Sequence, residues 1–126
     1  MKRFFTLFSV LVIVSSFSMY AGIDEIINAL KTGNANEIAL YFDNTVEITL
    51  PDKSNSYSKS QAEVVLRDFF NNNPVKRFDI LHKGENAGSQ YCIGTLVTKN
   101  ASYRTTVFMK QKGKRQTLQE IRFENQ

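Results

Sequence analysis

Apolar residues recur with helical spacing in three segments of the chain. In "GIDEIINALKTG", Ile23, Ile26, Ile27 and Leu30 follow the i, i+3, i+4, i+7 pattern of one helix face. A second, short helix is predicted from Ala35 to Tyr41. Asn34 suits its N-cap, with Glu37 placed three residues later.

The third predicted helix has the clearest start signal in the chain. Ser58 and Gln61 form an S-x-x-Q capping box, in which the side chain of the first residue accepts from the backbone of the fourth. Glu63 and Arg67 form an i, i+4 pair of opposite charge on the predicted exposed face. The apolar stripe of the helix consists of Ala62, Val65, Leu66 and Phe69. Pro74 ends the segment, because proline restricts the residue before it.

Elsewhere the pattern alternates with a period of two, as in strands. Val46, Ile48 and Leu50 share one face of the first strand, and the polar segment "DKSNS" after it is predicted to be a loop. Leu118 and Ile121 are three apart, which predicts a bulge. The predicted strands are 45–50, 75–83, 90–99, 102–110 and 116–123, with Gly84 and Gly88 marking a turn.

The order of these elements is ααβαββββ. Such an order predicts a single α+β domain with helices packed on one face of a curved antiparallel sheet. In "QYCIGTLVT" both faces of the strand are mainly apolar or small. This favours a central strand that is covered on both sides. Helices cover one side only, so homodimerisation through the sheet face is one interpretation, and an exposed face rich in threonine and glycine is the other.

The N-terminus has the pattern of an export signal. Lys2 and Arg3 precede an apolar run at 4–14, and "SSFSMYAG" follows. This is typical of a secretory signal peptide, and the run is shorter than the roughly 20 residues of a membrane span. We predict a signal peptide at 1–21 and a domain at 22–126, with cleavage after Ser18 or Ala21 and a retained anchor as the alternative. The protein is then periplasmic or secreted, with no stable membrane span after cleavage.

Charge and cysteine content exclude several function classes. Removal of Lys2 and Arg3 lowers the formal charge from +4 to +2, and export makes nucleic acid an improbable partner. The dense basic cluster at 110–115 is interpreted as a solvated hairpin tip, with an anionic contact as the alternative. Cys92 and His82 are the only residues of their types. No disulfide within the chain, no zinc site of the usual ligand set and no cofactor are therefore predicted.

Several segments together resemble a known superfamily. The helix pair, "YFDNTVEITLP", "YSKSQAEVVLRDFF" and the four following strands resemble the nuclear transport factor 2-like superfamily, whose members are cone-shaped α+β rolls. More narrowly, "YFDNTVEITLPD", "YSKSQAE", "GSQYCIGTLVT" and "IRFE" are similar to an exported Bacteroidetes-type family, domain of unknown function 4783. The superfamily includes both enzymes and non-catalytic proteins, so the resemblance implies the fold but no specific function.

The resemblance also provides a residue-level test for catalysis. Ketosteroid-isomerase-like members carry an aspartate base after a T-V-E-like triplet, and here that position is Ile48. The oxyanion-donating tyrosine corresponds to a position near Ile26, and the segment 103–110 contains no acid. Proton abstraction needs a base within reach of the substrate. We therefore predict no catalytic residues, and we interpret Asp43 as a turn-capping residue and Glu47 as an exposed one.

A pocket between the sheet and the helices is what the superfamily's cone implies. The predicted ligand-pocket residues are His82, Tyr91, Tyr103 and Arg104, and alternation places His82 on the face of Phe78 and Ile80. Tyr103 and Arg104 face opposite ways. The main hypothesis is a non-catalytic exported module that binds a small apolar ligand, a peptide or its own copy. The alternatives are an enzyme with a non-standard site around His82 and a structural partner in a cell-envelope assembly.

Overall fold

The computed structural model describes residues 21–126. Its element order is ααββαββββ, so the predicted α+β class is confirmed, with one strand more than expected. The predicted signal peptide lies outside the described residues except for Ala21, and it stays a prediction. The helices are α1 (Ala21–Thr32), α2 (Ala35–Ala39) and α3 (Lys59–Asn72). The strands are β1 (Phe42–Leu50), β2 (Lys53–Ser58), β3 (Val75–Asn86), β4 (Ser89–Thr98), β5 (Ser102–Lys112) and β6 (Arg115–Asn125).

α2 and α3 begin where their capping residues predict. Asn34 Oδ1 accepts from the backbone N–H of Glu37 at 3.2 Å. Ser58 Oγ accepts from the N–H of Gln61 at 3.4 Å. Each bond satisfies a helix-end donor that has no partner within the helix. The expected Glu63–Arg67 ion pair also forms on the exposed side of α3.

The six strands form one sheet in the order β2-β1-β6-β5-β4-β3. All neighbours are antiparallel except β1 and β6, which pair in parallel. The expectation of a purely antiparallel sheet was therefore wrong at this one pair. The long connection through β2, α3 and the β3–β5 meander brings β6 back beside β1, and this route fixes their relative direction.

The segment "DKSNS" was predicted to be a loop, and this prediction was wrong. Lys53–Ser58 forms an edge strand that pairs with β1 from Leu50↔Lys53 to Thr45↔Ser58. All its side chains are exposed except that of Tyr57, which is half-buried. An edge strand with so little burial has no apolar alternation, so the sequence gives no signal for it.

The core lies between the three helices and one face of the sheet, here called the inner face. α1 packs against β3 and β4, and α3 packs against β1 and β2. Phe123 is fully buried at the centre, and its ring stacks on Phe69 at 4.4 Å between centroids. The largest fully buried apolar side chains are Ile26, Leu30, Ile38, Val46, Ile48, Leu66, Leu96, Met109, Leu118, Ile121 and Phe123.

The opposite face of the sheet, here called the outer face, carries no helix. In β4 the inner-face residues are buried, whereas Tyr91, Ile93 and Val97 on the outer face are half-buried. β4 pairs with β3 on one side and with β5 on the other, so it is an inner strand as predicted, but the predicted cover on both of its faces is not found among residues 21–126. Its second apolar face is open in the single chain.

Among the register shifts of the sheet, two bulges determine which face the polar side chains discussed below occupy. The predicted bulge in β6 is confirmed: Phe108 pairs with Glu120 and Met109 with Leu118, which leaves Gln119 as the extra residue. A second bulge lies in β3, where Ile80 pairs with Gly94 and His82 with Ile93. No helix among residues 21–126 is long and apolar enough to cross a membrane.

Two glycines of the β3–β4 pair make room for aromatic rings. Gly84 was predicted to mark a turn, but it lies inside β3, opposite Tyr91. A Cβ on Gly84 would lie 2.5 Å from the Tyr91 hydroxyl oxygen, and one on Gly94 would lie 2.5 Å from Cζ of Phe78. Glycine inside a strand often marks such a close approach. One ring covers the outer face and the other the inner face.

These contacts predict that alanine at Gly94 destabilises the protein more than alanine at Gly84. Gly94→Ala pushes a methyl group against the buried Phe78 ring and to 2.6 Å from the Asp79 carbonyl oxygen. We expect urea denaturation to show a loss of about 1–3 kcal/mol in the free energy of unfolding, as for other overpacked cores. Gly84→Ala meets only the movable end of Tyr91 and should cost less than about 1 kcal/mol. Equal losses in the two variants would contradict this assignment.

Candidate functional site

The two positions that the resemblance assigns to catalytic groups lie inside the apolar core. Ile26 is 0% exposed and Ile48 is 1% exposed. Within the described part of the chain, the buried polar side chains are Gln90, Thr98, Thr105 and Thr117. None of these four ionises near neutral pH, so they provide no base for proton abstraction.

Cys92 and His82 do not form a nucleophilic pair. Cys92 is fully buried on the inner face, and burial raises the pKa of its thiol to about 11; Lys83 lowers this pKa and Asp24 raises it, both by smaller amounts. The thiol is therefore protonated at neutral pH and is a poor nucleophile. His82 lies on the outer face, because its strand partner is Ile93 rather than an inner-face residue.

The bulge in β3 overturns one prediction about His82. Alternation placed it on the face of Phe78 and Ile80, at the rim of the cone. The extra residue, Leu81, reverses the alternation, and His82 points away from the helices instead. There its Nε2 lies 2.6 Å from the Tyr91 hydroxyl oxygen. Gly84 permits this bond, because the Tyr91 ring lies where a Cβ would otherwise be.

The other two predicted pocket residues, Tyr103 and Arg104, lie on opposite faces of the sheet and do not form one site. Tyr103 is 8% exposed on the inner face, and its hydroxyl donates to Asn73 Oδ1 at 2.9 Å. Its ring meets Phe69 edge-on at 5.4 Å between centroids. Arg104 is exposed on the opposite face, as predicted. The structure thus brings His82 and Tyr91 together and separates both from Tyr103.

The strongest polar constellation of the outer face is centred on Asp43. Its Oδ1 accepts from the backbone N–H of Asn44 at 2.8 Å, but Asp43 lies inside β1 and not in a turn before it, so the predicted turn-capping role was wrong. Its Oδ2 also accepts from Gln119 Nε2 at 2.9 Å and pairs with Lys112 Nζ at 2.5 Å. The sequence did not predict these two partners, although the expected β6 bulge is the feature that turns Gln119 toward β1.

These partners determine what the carboxylate can do. Hydrogen bonds from Lys112, then Gln119, then the Asn44 backbone lower the pKa of Asp43 from 3.8 to about 2. An acid that is so readily ionised is a weak base, so Asp43 is unsuited to proton abstraction. Glu47 is exposed, as predicted. Both line an open surface depression of about 660 Å³ with Phe108, Lys110 and Glu120.

The basic cluster is a hairpin tip, as predicted, but two of its cations are engaged. Lys112 binds Asp43, and Arg115 Nη2 donates to the carbonyl oxygen of Leu40 at 2.6 Å. Lys110 and Lys114 are exposed. Among residues 21–126, no group of three or more histidine, cysteine, aspartate or glutamate side chains is arranged to hold a metal ion.

Comparison with known proteins assigns the family. The family model described as "Domain of unknown function (DUF4783)" matches residues 23–124. The chain belongs to the DUF4783 family. No curated protein matches it.

Solved structures support the same assignment and the fold. A DUF4783 family protein from Bacteroides uniformis is 29% identical, with a TM-score of 0.79 over 82% of this chain and 95% of that one. One from Bacteroides fragilis is also 29% identical, with a TM-score of 0.76 over 81% and 96%. A putative ketosteroid isomerase from Kribbella flavida is 12% identical, with a TM-score of 0.61 over 85% and 76%, and it shows likeness of fold alone.

The Asp43 constellation predicts a specific acid response. We expect carbon-detected NMR to show the Asp43 carboxyl titrating near pH 2, and Lys112→Met to raise its pKa toward 3.8, because the Lys112 bond is the largest cause of the shift. The folded-state pKa is depressed, so this contribution to stability is complete above pH 4 and is lost as pH falls toward 2. Asp43→Asn should remove that part of the acid dependence.

Lys110→Met is the matched control, because Lys110 lines the same depression without binding Asp43. It should leave the pKa of Asp43 unchanged. An ordinary Asp43 titration in the unmodified protein, or equal shifts in the two lysine variants, would contradict the assignment.

Proposed function

We propose that the protein is an exported, non-catalytic interaction module whose outer sheet face binds a second copy of the chain. The observation that carries the proposal is an apolar strip on that face, formed by Tyr91, Ile93, Val97 and Phe108 and here called the outer strip. Phe108 is 37% exposed, and the other three are half-buried. Tyr91 and Phe108 are direct strand partners, so their side chains are neighbours.

The buried apolar side chains between the helices and the sheet support a non-catalytic role and binding at the surface. Ile26 and Ile48 occupy the positions that the resemblance assigns to catalytic groups. A small apolar ligand inside the cone would have to displace such side chains, and interiors of this kind are close-packed. The His82–Tyr91 bond gives the enzyme alternative its one geometric feature. His82 is exposed, however, and it does not line any of the described cavities.

The charges around the outer strip are compatible with the binding of a second copy of the chain. Arg77 pairs with Asp79 at 3.0 Å on one side, and Arg122 approaches Glu124 at 3.7 Å on the other. The face therefore presents both signs around an apolar centre. Two copies related by a two-fold axis bring the same patch together, and a face of mixed sign does not repel itself.

Export rests on the N-terminal pattern of Lys2, Arg3 and the apolar run at 4–14. A periplasmic or secreted location follows from the same pattern. In such a compartment a dimer also provides a platform for an envelope assembly, which connects this proposal to the structural alternative.

The proposal predicts the behaviour of a charge introduced in the outer strip. We expect size-exclusion chromatography with light scattering to show a dimer for the unmodified protein and a monomer for Phe108→Lys, because a charge buried at an interface without a partner is costly. Circular dichroism should be unchanged, since the side chain is 37% exposed in the monomer.

Leu40→Lys is the matched control, because Leu40 is 66% exposed and lies at the end of α2, away from the sheet face. It should leave the dimer intact. A monomeric unmodified protein at its highest soluble concentration, or a dimer that survives Phe108→Lys, would refute the proposal.

A further inference from the structure

The two edges of the sheet differ in how they are protected. β3 pairs with β4 through two register shifts, at Val75/Arg77 and Ile80/His82. Lys83 of β3 binds Asp24 of α1 at 2.9 Å, and α1 packs against the strand. Bulges, charges and a covering helix are the usual means by which proteins prevent other strands from adding to an edge.

β2, the other edge, is less protected: it has no bulge, its one charged residue is Lys53 at its start, and α3 contacts only its inner face. Its register with β1 runs without a shift from Lys53 to Ser58. Within residues 21–126, no strand pairs with its far side. A regular strand in that position presents a row of N–H and C=O groups to any chain that lies alongside it.

A groove runs beside this edge on the inner face. Its volume is about 650 Å³, and Tyr57, Val64 and Val65 form its apolar wall. Tyr57 points to this side because it pairs with the buried Val46. Val64 of α3 is 50% exposed, although it is a large apolar residue. An apolar side chain on an added strand would therefore find a wall between β2 and α3.

The charges at the two ends of β2 indicate the chemistry of the partner. Lys53 opens the strand and Lys59 follows it directly. Neither lysine takes part in the ion pairs of the described residues. Two copies of the chain that paired through β2 would bring like-charged lysines together, which disfavours that arrangement. Acidic residues at the ends of an added strand would instead be attracted.

We propose that β2 is a docking edge for an extended peptide segment of a partner protein, which adds antiparallel to it as a seventh strand. The segment carries acidic residues at its ends and an apolar residue toward its centre. Main-chain hydrogen bonds provide affinity in this mode of recognition, and alternate side chains provide specificity. The apolar residue faces Tyr57 and Val64, and the acidic residues face Lys53 and Lys59. This site is distinct from the outer strip and does not depend on dimerisation.

The probe is a capped seven-residue peptide that spans Lys53 to Lys59, with glutamate at both ends, leucine opposite Tyr57 and threonine elsewhere. We expect amide shifts in β2 and the first turn of α3 when ¹⁵N-labelled protein is titrated with it. The same peptide N-methylated at the residues that donate to β2 should not bind, because strand addition needs those donors. Binding of the N-methylated peptide with unchanged affinity would overturn the proposal.

Protein variants separate the groove from the charges. Val64→Asn, which changes no charge, should weaken the leucine peptide about tenfold or more, equivalent to about 1.4 kcal/mol, whereas Leu40→Asn, at a more exposed apolar position, should have no effect. The Lys59→Glu variant should bind the acidic peptide more weakly, and binding should be restored when the peptide's glutamate opposite that position is replaced by lysine. Absence of binding, shifts confined to the outer face, or equal effects of Val64→Asn and Leu40→Asn would each overturn the proposal.

Discussion

The structure depends on filling the space between three short helices and a curved sheet with apolar side chains. Ile26 and Ile48 belong to this filling and are almost completely buried. Each side chain of this kind contributes roughly 1.5–3 kcal/mol when it is removed from water. An ionised group in its place would need a buried partner to offset the loss of hydration. The packing that stabilises this roll therefore favours apolar side chains at these two positions.

The two polar clusters described above, at His82 and at Asp43, lie on the outer face, and bulges decide which residues appear there. The bulge at Leu81 turns His82 outward, beside Tyr91. The bulge at Gln119 directs its amide to Asp43. Each bulge adds a single residue, and each reverses the faces of the residues beyond it. Two local irregularities thus place the main polar clusters of the outer face.

The burial of apolar side chains also determines how much of the structure could be predicted from the sequence. Wherever burial imposes a period, as at Ile23, Ile26 and Leu30 or at Val46 and Ile48, the predicted elements match the structure. β2 was missed because its side chains are mostly exposed and leave no period. Two buried residues three apart revealed the β6 bulge. The bulge in β3 falls within the apolar pair Ile80 and Leu81, both largely exposed, and breaks no pattern.

Asp43 lies at an irregular point of the sheet, and this position explains its role. β1 and β6 are its one parallel pair, and their register shifts between Phe42 and Glu47. That shift disrupts the regular ladder at the place where the chain passes from α2 into the sheet. Leu118 N donates to the Tyr41 carbonyl oxygen at 2.6 Å, and the Asp43 carboxylate joins the same strand start to Gln119 and Lys112. A side chain with a pKa of about 2 is ionised at neutral pH and is suited to this task, because charge-assisted hydrogen bonds are stronger than neutral ones. A carboxylate with a pKa high enough for base catalysis would hold the junction less firmly, so stability and reactivity make opposite demands on this residue.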